Sequence, residues 1–208
     1  MFGSQHLELF ILSGLLLNIT PGQDTLYIIG RSLSQGRRAG LLSVLGISSG
    51  SVIHTLAAAF GLSAILATSA QAFVAVKLVG AAYLVYLGAR LIVERSKPSE
   101  VAPAFAPEAD WTVYRAGLLT NVLNPKVALF FMAFLPQFVA PTTDSQVLTF
   151  LFLGTVFIFN GTLWCLLLVW GASAASQRLR GNTTLALSMR RAAGVLFMGL
   201  GVRLAVTK

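Results

Sequence analysis

The chain contains two similar stretches, Gly14-Leu-Leu-Leu-Asn-Ile-Thr-Pro21 and Gly117-Leu-Leu-Thr-Asn-Val-Leu-Asn-Pro125, the second with one extra residue before its proline. Each stretch lies inside an apolar block. Proline removes a backbone donor, clashes with the preceding helical turn and pushes the residue before it out of helical geometry. The two stretches therefore predict two helices that are broken within apolar segments.

The composition indicates a membrane protein. Of the 208 residues, 56% are hydrophobic and 11% are charged, against roughly 25% charged in soluble domains. The apolar residues fall into six blocks of membrane-spanning length: Leu7–Gly30, Leu41–Leu66, Phe73–Val93, Val113–Phe138, Val147–Ala172 and Leu185–Val206. We predict an all-α integral membrane protein of about six transmembrane helices. The sixth block contains three arginines, so a short or interfacial last helix is the alternative there.

The repeat divides the chain into two halves of one transmembrane domain, residues 1–208. The first three-helix repeat covers residues 1–93, a proline-containing linker covers residues 94–112, and the second repeat covers residues 113–208. Three helices per half is an odd number, so the halves must insert with opposite orientation. Inverted repeats with broken helices are typical of secondary transporters.

The basic residues are distributed unevenly between the predicted loops. Loops one, three and five and their flanks contain Arg31, Arg37, Arg38, Arg90, Arg95, Lys97, Arg115, Arg178, Arg180, Arg190 and Arg191. The N-terminal segment and loop four contain no Lys or Arg, and loop two contributes only Lys77. The positive-inside rule places loops one, three and five in the cytoplasm and both termini outside. Arginines near the inner face suit anionic lipid headgroups.

The breaks are the candidate substrate-binding region. We expect Thr20 to act as an N-cap, with Pro21 at the first helical position and Gln23 completing a capping box. We expect Asn124 to cap a helix that begins at Pro125. A helix N-terminus suits a carboxylate, although a simple kink is the alternative. The predicted substrate-binding residues are Asn18, Thr20, Pro21, Gly22, Asn121, Asn124 and Pro125.

Two ionisable residues lie close to the breaks. Asp24 is one turn after Pro21, and Lys126 directly follows Pro125. Charges within transmembrane segments usually face an interior path. Asp24 is therefore a candidate for proton coupling, and a fixed ion pair between Asp24 and Lys126 is the alternative.

Several other residues favour packing roles. Gly46 and Gly50 form a small-xxx-small pair that permits close helix contact. His54 is predicted to be a hydrogen-bonded residue inside the helical bundle rather than a proton relay. Trp164 and Trp170 are predicted to be lipid-facing or interfacial.

The sequence also argues against other functions. The net charge of +8 comes from basic residues between apolar blocks, which argues against nucleic-acid binding. No spacing of Cys and His suits a metal, no nucleophile–base arrangement suggests an enzyme, and no cofactor is predicted.

The two proline stretches, with Asp24 and Lys126, resemble the lysine exporter superfamily and within it the homoserine/threonine exporter branch. Further similar motifs, in the family's order, are Gly36-Arg37-Arg38-Ala39-Gly40, Tyr83-Leu84 with Leu87-Gly88, and Phe130-Phe131 with Phe134-Leu135-Pro136-Gln137-Phe138. The resemblance implies a six-helix inner-membrane amino-acid exporter powered by the proton gradient. Gln23 replaces the second proline of the family's Thr-Pro-Gly-Pro run.

These observations predict a secondary transporter that exports a small amino acid, or a close derivative, across the inner membrane. A passive channel or facilitator for small polar solutes is the alternative, and a membrane-embedded enzyme is disfavoured. Small-residue faces leave a homo-oligomer open.

Overall fold

The computed structural model describes residues 3–68, 70–93, 105–140, 143, 145–172 and nine single positions between 191 and 206. Every regular element in this part of the chain is helical, and the one β contact is an isolated bridge between Ser4 and Val139. The all-α prediction is confirmed.

The first half consists of four helices. Helix α1 covers Leu7–Ile19, and the chain is non-helical around Pro21 before α2 begins at Gln23 and runs to Leu56. A π-helical segment at Ala57–Leu62 leads directly into α3, Ser63–Thr68. Helix α4 covers Ala70–Val93. The first predicted block is therefore broken, as its proline indicated.

Helix α2 changes direction at Gly36. This residue has φ 85° and ψ 179°, whereas its neighbours on both sides are helical. Only glycine adopts that backbone conformation readily. The glycine thus separates the end of the first predicted block from the start of the second, without a long loop.

The second half repeats the break. Helix α5 covers Asp110–Val122, three residues earlier than the predicted block, and α6 covers Pro125–Leu129. A π-helical segment, Phe130–Phe134, and a short 3₁₀ helix, Leu135–Phe138, follow. Helix α7 covers Gln146–Trp170 and is capped by Ser145, whose hydroxyl accepts from the Leu148 N–H.

Two helical runs in the described part of the chain are long and apolar enough to cross a membrane, Gln23–Ile65 and Gln146–Trp170. The pair Asp110–Val122 and Pro125–Phe138, bent by 45°, makes a third if it is counted as one span. The first run has 43 residues and a contour length of about 65 Å, twice the thickness of the hydrocarbon core. Most of the sixth predicted block, and of the linker before Phe105, lies outside the described residues.

Different segments of the chain meet at the two ends of the helical bundle. At one end, the Gln5 N–H donates to the Phe138 carbonyl and the Ala140 N–H donates to the Gly3 carbonyl. At the other end, the buried Arg31 pairs with Glu108 at 2.7 Å. The N-terminal segment therefore lies beside loop four, and loop one lies beside the end of loop three.

The core is divided into two clusters. One is rich in phenylalanine and includes Phe10, Phe130, Phe131, Phe134, Phe138, Phe150 and Phe157. The other joins the start of α2 to the end of α7 and consists of Tyr27, Ile28, Ile29, Val44, Ile47, Leu168 and Val169. Ile47 of one cluster and Phe157 of the other lie on the cavity that is described below.

Glycines bring the two halves into close contact, as the small-xxx-small pair predicted. A Cβ on Gly50 would lie 2.7 Å from Asn121 Oδ1, and one on Gly46 would collide with the backbone of α5. A Cβ on Gly161 of α7 would lie 3.2 Å from Asn18 Nδ2. Asn18 and Asn121, which lie beside the two breaks, thus each pack against a glycine of the opposite half.

Candidate functional site

The break after α1 is closed by a lysine from the other half of the protein. Pro21 has no N–H to donate to the Leu17 carbonyl, and the non-helical backbone frees the Thr20 carbonyl as well. The Lys126 ammonium donates to both carbonyls, at 2.9 Å and 3.0 Å. A cation at a helix C-terminus is favourable because the last carbonyls carry partial negative charge.

Gly22 makes this approach of Lys126 possible. A Cβ at Gly22 would lie 3.1 Å from the ammonium nitrogen and 3.5 Å from the adjoining carbon. Any larger residue would push the lysine away from the carbonyls. Gly22 therefore contributes to the site through its small size.

The predicted capping role of Thr20 is wrong. Thr20 ends α1, its hydroxyl donates to the Leu16 carbonyl at 2.6 Å, and the N-cap of α2 is Gly22, which provides no side-chain cap. The capping box with Gln23 is therefore not formed. The physical reason is that a threonine hydroxyl can bond back to its own helix, and here it does so.

The second break is capped as predicted. The Asn124 side chain accepts from the Lys126 backbone N–H at 3.0 Å, with Pro125 at the start of α6. Pro125 leaves the Asn121 carbonyl without its helical donor, and this carbonyl accepts instead from the Asn124 N–H and from His54 Nε2, at 3.0 Å and 3.1 Å. His54 is thus the satisfied bundle residue that the sequence indicated.

Asp24 lies between the breaks, in the first turn of α2. One carboxylate oxygen, Oδ2, accepts from Asn121 Nδ2 at 2.8 Å, and Asn121 Oδ1 accepts from the Ser51 hydroxyl at 3.3 Å. The other oxygen of Asp24, Oδ1, is buried without a partner in the protein. The amide of the second break therefore holds the carboxylate of the first.

The alternative of a fixed ion pair between Asp24 and Lys126 is not formed. The ion pairs within 4 Å in the described residues are Arg31–Glu108 and Arg38–Asp110. The ammonium of Lys126 is committed instead to the two carbonyls at the end of α1. Both charges nevertheless face the same cavity.

This cavity is formed by residues of both halves and is partly open to its surroundings. Its lining includes residues with polar or ionisable side-chain atoms, namely Asn18, Asp24, Thr25, Ser48, Ser51, Asn121, Lys126, Thr162, Trp164 and Cys165, and also Gly161. Its apolar lining comes from Ile47, Val127, Phe157 and Ile158. The result is a chamber with a mixed polar and apolar lining that contains both signs of charge inside an apolar bundle.

The predicted site residues fall into two groups. Asn18, Asp24, Asn121 and Lys126 line the cavity. Thr20, Pro21, Gly22, Asn124 and Pro125 do not line it, and their backbone geometry shapes the two breaks instead.

The structure adds residues that the sequence analysis missed. Trp164 was predicted to be lipid-facing or interfacial, but it is half-buried, lines the cavity and has a buried Nε1 without a partner in the protein. Trp170, in contrast, is 63% exposed, as expected. A sequence feature that points to this cavity is the spacing of Phe157, Ile158, Gly161, Thr162 and Cys165. It places a glycine and a threonine on one face of an apolar helix.

Buried charges and amides around a cavity between broken helices are typical of membrane transport proteins. The comparisons with known proteins agree with this class. The LysE type translocator family matches residues 15–208, and the chain belongs to this family. The resemblance to lysine exporters is thereby confirmed, and the protein is a translocator rather than an enzyme.

Individual relatives cover nearly the whole chain. An uncharacterized membrane protein of Vibrio cholerae serotype O1 is 31% identical over 201 residues, which is 96% of each chain. A leucine efflux protein of Enterobacter sp. is 25% identical and covers 98% of this chain and 97% of its own. The leucine efflux protein of Salmonella choleraesuis is also 25% identical, with 98% and 96% covered. No solved structure matches the chain.

Proposed function

We propose that this protein exports small amino acids, or close derivatives, across the inner membrane. The observation that carries the proposal is the cavity between the two breaks, which presents a carboxylate, an ammonium and two asparagine amides. A zwitterion requires groups of both signs within a small space. Two relatives that match 98% of this chain are named for the efflux of leucine, which supports the same substrate class.

The proposed architecture is a pair of inverted three-helix repeats. Its support is the reciprocal packing of Asn18 on Gly161 and of Asn121 on Gly50, each an asparagine of one half on a glycine of the other. The cavity then lies at the interface of the repeats, where secondary transporters bind their substrates.

The proposed orientation has loops one, three and five in the cytoplasm and both termini outside. It is supported by the basic residues of loop one, which lie at the end of the bundle opposite loop four. In a Cys165→Ser background, a cysteine at Ser145 should react with an impermeant reagent added outside, and one at Ser34 only after permeabilisation. The reverse labelling would overturn the orientation and the assigned direction of export.

Export is proposed to be driven by protons, with Asp24 as the coupling residue. The support is that one oxygen of Asp24 is fixed by Asn121 while the other is unpartnered in the protein. Asp24→Asn should abolish proton-driven net export while exchange persists at saturating substrate concentrations. Wild-type pH dependence of export in a stable Asp24→Asn protein would remove this coupling role.

The experiment that tests the function is a substrate screen in proteoliposomes loaded with a mixture of the twenty amino acids. We expect one or a few amino acids to leave against their gradient when a proton gradient is imposed, and a protonophore to stop them. Efflux that only follows the gradient of each compound would identify a passive facilitator. Retention of the whole mixture would refute amino-acid export.

A further inference from the structure

Polar atoms without a partner in the protein cluster around the cavity. Six buried side-chain atoms in the described residues lack such a partner, and three of them belong to cavity residues, namely Asn18 Nδ2, Asp24 Oδ1 and Trp164 Nε1. Buried polar groups are nearly always hydrogen-bonded in folded proteins. Three of them around one chamber indicate that a polar ligand completes their bonding.

The three atoms differ in what they can bind. Indole Nε1 and amide Nδ2 are donors only, whereas the carboxylate oxygen of Asp24 is an acceptor only. The Lys126 ammonium has three donors, of which two are used on the carbonyls of α1. Among the groups that line the cavity, Trp164, Asn18 and Lys126 therefore offer donors and a positive charge, and Asp24 offers an acceptor and a negative charge.

We propose that the cavity binds its substrate in one fixed orientation, an inference that rests on the proposed function. The substrate carboxylate accepts from Trp164 Nε1 and Asn18 Nδ2, close to the charge of Lys126. The substrate ammonium donates to Asp24 Oδ1. This assignment moves the carboxylate away from the helix N-termini that the sequence suggested, because the N-terminus of α6 is already capped by Asn124.

The rest of the lining indicates which side chain the substrate carries. Val127, Phe157 and Ile158 are apolar and come from α6 and α7, and Ile47 adds a further apolar surface from α2. An apolar side chain against this surface removes apolar area from water on both partners. The substrate class is therefore an α-amino acid with an apolar side chain and with both of its charged groups free.

The test compares analogues that lack one charged group. Purified protein is titrated with leucine, leucine amide and N-acetyl-leucine, and binding is read from ligand-induced thermal stabilisation. We expect leucine to bind at least about tenfold more tightly than either analogue, because each analogue leaves a buried polar group unpaired. Equal binding of leucine and leucine amide would overturn the orientation.

Two variants assign the subsites. Trp164→Phe keeps an aromatic ring but loses the donor, so we expect leucine to bind about tenfold more weakly and leucine amide, whose carboxamide is uncharged and has one acceptor oxygen fewer, to be affected less. Asp24→Asn should weaken the binding of leucine more than the binding of N-acetyl-leucine, which has no ammonium group. The matched control is Trp170→Phe on the same helix, whose exposed ring lies outside the cavity and which should bind like the wild type. Asn18→Leu serves as a second carboxylate-site variant where Trp164→Phe does not fold.

The outcomes separate this inference from the proposed function. An unchanged ratio of leucine to leucine amide binding in both folded Trp164→Phe and folded Asn18→Leu overturns the carboxylate subsite, even while the screen shows amino-acid export. Failure of the wild type to bind leucine, when the screen shows export of polar amino acids, overturns the apolar side-chain assignment alone. Failure of every free amino acid in the screen removes the proposed function as well.

Discussion

The two helix breaks have the same sequence origin but are stabilised in different ways. The break at Pro21 has no side-chain cap on α2 and is closed by the ammonium of Lys126, which comes from the other half of the chain. The break at Pro125 is capped by Asn124, its immediate neighbour, and its freed carbonyl accepts a bond from within the same turn. The first break is closed by a distant residue alone, whereas the second combines local bonds with one from His54 of the first half.

This difference indicates how the two halves are connected. The first break keeps its shape only while α6 lies close to the end of α1, so a relative movement of the halves must break the bonds of Lys126. The second break keeps its cap during such a movement. The first break is therefore a direct contact between the two halves, and the cavity lies beside it.

The largest effect is expected from removing the lysine that closes the first break. Lys126→Met leaves the carbonyls of Leu17 and Thr20 without their donor, and charge-assisted bonds of this kind contribute about 1.5–3 kcal/mol each. We expect a marked drop in the unfolding temperature and loss of transport, measured on purified and reconstituted protein. Arg115→Met, a change at an exposed cation of α5, is the matched control and should have little effect.

A double variant sharpens this result. If Lys126 mainly neutralised Asp24, then Asp24→Asn combined with Lys126→Met would recover stability. The structure predicts no recovery, since the bonds that are lost go to backbone carbonyls. Recovery of the wild-type unfolding temperature in the double variant would contradict the description of the first break.

Replacing Pro21 should reduce transport more than replacing Pro125. Pro21→Ala supplies an N–H that competes with Lys126 for the Leu17 carbonyl and lets α1 extend, so we expect transport to fall on the order of tenfold. Pro125→Ala leaves the Asn124 cap in place, and transport should stay within about threefold of the wild type. Initial efflux rates at equal protein density compare the two. Equal losses would mean that the breaks are equivalent.

The smallest effects concern the residues just before the two prolines. Asn124→Ala removes a cap and should lower the free energy of unfolding by about 1 kcal/mol. Thr20→Val removes only a hydroxyl bond to the Leu16 carbonyl, which also accepts from the Thr20 N–H. This change should lower the free energy of unfolding by only a few tenths of a kcal/mol. Thermal unfolding of the paired variants measures both. A larger loss for Thr20→Val would restore the capping role that the structure rejects.

Features that depend on local backbone chemistry were predicted from the sequence. The proline breaks, the Asn124 cap and the close packing at Gly46 follow from which residue occupies a position. The cap at Thr20 was wrong because a threonine hydroxyl has two local choices, and the sequence does not reveal which carbonyl or N–H lies within reach.

Contacts between the halves could not be predicted. Lys126 and Asp24 were recognised as candidate site residues, but the partners of Lys126 are backbone carbonyls, which every residue possesses and no motif marks. Trp164 was missed for a similar reason, since a tryptophan in an apolar helix faces either outward or inward depending on how α7 is rotated against α1 and α2.

The central claim is that amino acids cross the membrane through the cavity between the breaks, and filling that cavity tests it most directly. Gly161 lines the cavity beside Asn18, whereas Leu163 on the same helix is 52% exposed. Proteoliposomes with Gly161→Leu or with Leu163→Phe, both checked for wild-type folding, are loaded with the amino-acid mixture and given a proton gradient. We expect efflux to be lost with Gly161→Leu and retained with Leu163→Phe. Equal efflux from a folded Gly161→Leu protein would contradict the claim.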